Sequence, residues 1–272
     1  MRGCSCRGTA GFAHVSCLAE QAKILREEAE ENNLGVDARN KRWERWDTCS
    51  LCEQRYHGVV WCALGWACWK TYVGRPEGDG ARIMAMTQLG SGLFSADHHE
   101  DALSVQEAEL ATERRLGAPE DSILVAQSNL ASTYAALGRL EAALRLKRDV
   151  YSGRSNLNGE EHEGTLIAAN NYSTSLRDVQ RFEEARSLLR KTMPVARRVL
   201  GNNNETTLTM RLCYARALYD DTGATLDDLR EAVETLADAE RIAQRVFGGA
   251  HPLVGEFESA LEESRAALSN VE

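Results

Sequence analysis

Leu130-Ala131-Ser132-Thr133-Tyr134 is answered 42 residues on by Tyr172-Ser173-Thr174-Ser175-Leu176, and after the same step by Tyr214-Ala215-Arg216-Ala217-Leu218. Leu140 and Ala143 are matched in the same way by Phe182 and Ala185, and Gly117, Gly159 and Gly201 stand 42 apart. Each unit holds two apolar stripes of helical period, and neither helix can bury its stripe alone. Stacked helix pairs bury them together, so a fixed period of this length predicts a repeat array. Small residues at Ala131, Ala143, Ala185 and Ala215 let paired helices approach, while Tyr134, Leu176 and Phe182 fill the space beside them.

The spacing predicts units at about 82–121, 122–163, 164–206 and 207–250. The last is lengthened around Asp221-Thr222-Gly223-Ala224-Thr225-Leu226, and a polar-faced helix from His251-Pro252 caps the array. Upstream, Val73-Gly74-Arg75-Pro76-Glu77 echoes Leu116-Gly117-Ala118-Pro119-Glu120. Val59 to Tyr72 therefore reads as the second helix of a half repeat, with Trp61, Trp66 and Trp69 packing the N-terminal module against it.

The segment from Asn129 to Leu144 resembles a tetratricopeptide repeat of the kinesin-light-chain kind. The resemblance implies an all-α fold, a tetratricopeptide-type helical-hairpin solenoid over residues 58–272, preceded by a small zinc-binding module at residues 1–57. On that pattern Gln88, Asn129 and Asn171 share a column on the concave inner face, with Asn170, Thr174, Arg177, Arg216 and Tyr219 on or near it. A side-chain amide there offers a donor and an acceptor to the backbone of an extended peptide, so the expected partner is a peptide or protein. The bland alternative is a solvated polar surface.

Seven of the eight cysteines precede residue 70. Cys4-x-Cys6, His14-x-x-Cys17 and Cys49-x-x-Cys52 have metal-ligand spacing, and four such ligands make a closed tetrahedral zinc site. Cys17 to about Asn33 reads as a helix, followed by a basic loop whose Trp43 and Trp46 are expected to cover the metal. Cys62 and Cys68 lie in an apolar helix and read as core.

The cysteine and histidine string resembles the RING-CH (RING-variant) zinc finger. The resemblance implies a complete second site from Cys4, Cys6, Cys49 and Cys52, and half of a first site from His14 and Cys17. The other Cys-x-x-Cys pair, which the family carries upstream, has no counterpart before Cys4. That leaves open a truncated sequence or a finger with one full site, and so one or two structural zinc ions. Gln21 stands where the family usually has a tryptophan, on the surface that docks a ubiquitin-conjugating enzyme. An adaptor is therefore expected ahead of a RING-type ubiquitin ligase that recruits substrate through its repeats.

A net charge of -9 argues against general nucleic-acid binding. The most apolar window, Val59 to Trp69, is too short to span a bilayer, and Arg7 and His14 interrupt any secretory leader. An intracellular protein, cytoplasmic or nuclear, is expected. Arg145-Leu146-Lys147-Arg148 and Arg197-Arg198 read as exposed helix faces. No nucleophile with its base and no phosphate-cradling loop is present.

Overall fold

The computed structural model describes residues 14–249 and 251–271, in two compact units, one running to Gly138 and the other from Arg139. The N-terminal unit holds α1 (Val15–Glu31), α2 (Val36–Trp43) with a single 3-10 turn after it (Glu44–Trp46), α3 (Gly58–Tyr72), α4 (Gly80–Ser95), α5 (His99–Leu116) and α6 (Glu120–Ala136). The C-terminal unit holds α7 (Leu140–Asn158), α8 (Glu163–Asp178), α9 (Phe182–Val199), α10 (Glu205–Tyr219), α11 (Leu226–Phe247) and α12 (Pro252–Ser269). Among the described residues the only strand-like pairing is one bridge between Thr48 and Arg55. No helix among them is long and apolar enough to cross a membrane.

The helix ends follow from local chemistry. Asp79 accepts from the amides of Ala81 and Arg82, Asn204 caps α10 in the same way, and Thr225 with Asp228 closes a capping box on α11. Short turns between paired helices each pass through the left-handed region, at Asp97 (φ 61°), Gly138 (φ 72°) and Gln180 (φ 61°). There the backbone folds back to satisfy the last carbonyls, as Arg181 N–H does by donating to Leu176 O at 2.8 Å. Repetition of this turn is what keeps the 42-residue step in register. In α10–α11 the turn gives way to the longer loop that the extra residues predicted, ending on the capping box.

The C-terminal unit is held by one large core in which Leu189, Leu208, Leu218, Leu236 and Phe257 are fully or almost fully buried. Each such side chain contributes roughly 1.5–3 kcal/mol on burial. Residues 14–57 do not hang from the array: they share buried cores with α3 and α4.

Four expectations are corrected here. Residues 36–46 form α2 and a 3-10 turn, not a basic loop. Trp43 and Trp46 do not cover Cys49 and Cys52; they stack with Tyr72 and bury against Cys68, Ala81 and Ala85. Trp66 points to solvent at 43% exposure, so only Trp61 and Trp69 join the packing. Lys147 is buried, not on an exposed face, and burial pushes its ammonium down to about 8.

Candidate functional site: a polar cleft at the ends of α8 and α10

Helix α8 carries Asn170, Thr174 and Arg177 at intervals of four and three, which puts them on one face. The Thr174 hydroxyl donates to the Asn170 carbonyl at 3.1 Å and lies 3.6 Å from the Cys213 thiol on α10. The side-chain oxygen of Asn170 is buried and has no hydrogen-bond partner. A buried acceptor left empty costs about 1–3 kcal/mol.

The same face runs down to a cleft of about 450 Å³ lined by Arg177, Phe182, Arg216, Tyr219, Asp220 and Glu263. Its geometry leaves both guanidinium groups loosely held. Arg177 stands 3.4 Å from Asp178 and 3.9 Å from Asp220, and Arg216 is 3.8 Å from Glu256. These are at or beyond the limit of a hydrogen bond. The phenol of Tyr219 is committed, donating to Glu263 Oε2 at 2.9 Å, and burial together with that bond raises it above its ordinary value. Burial also raises the Asp220 carboxyl, against the pull of Arg177 and Arg216.

Three of the sequence-predicted residues, Arg177, Arg216 and Tyr219, therefore line one cleft, with Thr174 and Asn170 leading to it. Asn171, next along α8, is half-buried. Gln88 and Asn129 belong to the other unit. Gln88 is buried and spent internally, accepting from the Trp61 indole at 3.1 Å and donating to Asp47 at 3.2 Å. Asn129 is half-buried, and its carbonyl takes a long bond from Thr133 at 3.4 Å. Periodicity alone did not reveal Glu263, which comes from α12, a helix outside the repeat.

Of the predicted metal ligands, Cys4 and Cys6 lie outside the described residues. His14 and Cys17 sit at the start of α1, with Nδ1 and Sγ 3.9 Å apart. Cys49 and Cys52 flank a tight turn in which the Glu53 amide donates to Cys49 O at 3.0 Å and Glu53 takes φ 55°. Both are packed beside Val15, Leu18 and Ala19 of α1. Among the described residues no three His, Cys, Asp or Glu side chains are grouped to hold a metal. The Cys-x-x-Cys spacing across this turn fits a thiolate pair, which needs two further ligands. Cys68 is buried in the core and Cys62 partly so, as expected.

Residues 122–198 match the family model described as Tetratricopeptide repeat. These are tetratricopeptide repeats. A crystal structure of a Podosopora anserina putative kinesin light chain with nearly identical TPR-like repeats superposes with a TM-score of 0.56, at 19% identity over 86% of this chain and 98% of that one. The crystal structure of BtubC (BKLC) from P. vanneervenii gives 0.55, at 13% identity over 94% of this chain and 87% of that one. At such identities these two structures establish a shared fold and no more. In sequence, the chain is 24% identical over 148 residues to clustered mitochondria protein homologs of Neosartorya fischeri and Aspergillus fumigatus. The match takes in 53% of this chain and 11% of each relative. Tetratricopeptide repeats are typical protein-interaction modules.

Proposed function

We propose that the protein is an adaptor: its C-terminal unit binds a peptide or protein partner along α8 and α10, and zinc holds its N-terminal segment. The observation that carries the binding reading is the empty, buried Asn170 oxygen at the head of a face that ends on two loosely paired arginines. A peptide N–H fills the first, and polar groups of the same peptide reach the second.

The test uses peptides selected from a random display library on the full chain. Asn170→Ala with Arg177→Ala is expected to weaken their binding at least tenfold while the helical circular dichroism is unchanged. A neutral hydrogen bond contributes about 0.5–1.5 kcal/mol and a charged one about 1.5–3, which sets that scale. Peptides that bind both proteins equally would remove α8 from the reading.

The zinc reading rests on ligand spacing and on the Cys49–Cys52 turn. Cys4, Cys6, Cys49 and Cys52 would hold one ion, and a closed thiolate site is structural, with no open position for chemistry. Metal analysis of the purified full chain is expected to find one zinc per chain, or two if His14 and Cys17 hold another. Chelation should then raise amide exchange within α1 and α2 and leave most of the helical signal intact. Metal-free protein with the same exchange pattern before and after chelator would end this reading.

A further inference from the structure

Helix α5 buries two carboxylates one turn apart. Glu109 is 2% exposed and Glu113 4%, and each keeps one carboxylate oxygen buried without a partner. An ionised carboxylate so enclosed is costly unless a cation or several donors meet it. The helices packed on α5 within its unit supply no cation. Helix α4 has one charged residue, Arg82, whose guanidinium donates to Arg75 O and lies over Trp69. Helix α6 has Glu120 and Asp121 in its first turn, and Tyr134, whose hydroxyl donates to Glu107. The charge acting on Glu109 is that of Glu113, of the same sign.

The hydroxyl of Thr87 on α4 is the partner that Glu109 meets across the helix pair. Its oxygen lies 2.5 Å from Glu109 Oε1 and 3.3 Å from the carbonyl of Ile83. A threonine hydroxyl has one proton to give and here touches two acceptors. If the carboxyl of Glu109 is neutral and donates to Thr87, the hydroxyl is free to donate to Ile83, and both contacts are satisfied.

We infer that Glu109 is folded as a neutral acid and that its proton latches α5 to α4. The latch reaches further than one helix pair. Thr87 is followed by Gln88, which ties α4 to Asp47 and to Trp61. Loosening α4 therefore loosens its hold on the residues before α3. Burial, against the downward pull of the Thr87 hydroxyl and with a smaller push from Glu113, raises the Glu109 carboxyl to about 7, against 4.5 ordinarily. Between these two values the folded chain carries a proton that the unfolded chain has lost. Stability is thus full below pH 4.5 and declines as pH rises to about 7, beyond which the loss is complete.

Amide exchange of the full chain, corrected for intrinsic rates, should show protection in α4 and α5 falling on the order of a hundredfold from pH 5 to pH 8. Glu109→Gln, whose amide keeps a donor for Thr87, should flatten that fall. A second readout needs no variant: the side-chain carboxyl carbon of Glu109 in the wild-type protein should titrate near neutrality by NMR. A carbon titrating in the ordinary carboxylate range, or an equal loss of protection in Glu109→Gln, overturns the latch.

Discussion

Trp46→Ala is expected to cost about 3–5 kcal/mol in the N-terminal unit, the range for emptying a buried aromatic site. Trp46 has no exposed surface and meets Trp43 and Tyr72 with ring centroids 6.4 and 6.1 Å apart. The cluster lies where α2 and its 3-10 turn bury against α3 and α4, so no neighbour can collapse into the space without moving a helix. The indole N–H is buried without a partner. Trp46→Phe keeps an aromatic ring in the site and loses mainly volume, so it should cost only about 1–2 kcal/mol. All five tryptophans, Trp43, Trp46, Trp61, Trp66 and Trp69, stand in this unit, so their fluorescence in urea reports its unfolding and not that of the repeats beyond it. An unchanged urea midpoint for Trp46→Ala would mean that the residues before α3 add nothing to the stability of α3 and α4.

Gly92→Ala should destabilise the same unit by about 3 kcal/mol, at the upper end for overpacking. Helices α3 and α4 cross with their backbones almost in contact. A Cβ on Gly92 would lie 2.8 Å from Trp61 O and 3.0 Å from the Cys62 Cα; one on Gly65 would lie 2.8 Å from Gln88 O. Both obstacles are main chain and cannot swing aside, so the helices must separate and weaken the Gln88 contacts. Gly255 in α12 is the control, since a Cβ there meets nothing within 4 Å. Gly255→Ala should raise stability by roughly 0.5–1 kcal/mol, because alanine lowers the entropy of the unfolded chain and favours helix. Circular dichroism in urea reads that change. If both substitutions shift stability in the same direction, close approach is not what distinguishes the two sites.

Much of the fold could be read from the repeat. The 42-residue step placed α6 to α11 because each helix boundary is set by local chemistry that the sequence states openly. Asn204 and Thr225 are caps, Gly138 supplies a left-handed turn, and the apolar stripes have helical period. The extra residues after Asp220 were visible for the same reason. Residues 36–46 were misread because they are mostly polar and charged apart from the two tryptophans. Their helix exists through what Trp43 and Trp46 bury against, far along the chain, and not through its own propensity.

The candidate site divides along the same line. Arg177 and Tyr219 were reachable because they stand at one position of the repeat, 42 residues apart, and Arg216 because it matches Thr174 at the same step. Glu263 was not, since it arrives from the capping helix and pairs with Tyr219 through space. Gln88 occupies the same column as Asn129, yet is spent on Trp61 and Asp47. Position in a repeat says which way a side chain faces, not whether something already occupies it.

By itself the sequence determined that this chain folds as paired helices with a fixed period, where they turn, and which cysteines have the spacing of zinc ligands. Those properties depend on neighbours within a few residues or on strict recurrence. Only the tertiary structure decided that the residues before α3 share its core, that Asn170 keeps an empty acceptor, and that two carboxylates on α5 are paired with no cation of α4 or α6. Burial and unmet hydrogen-bonding capacity are properties of what surrounds an atom, and the surroundings come from distant parts of the chain.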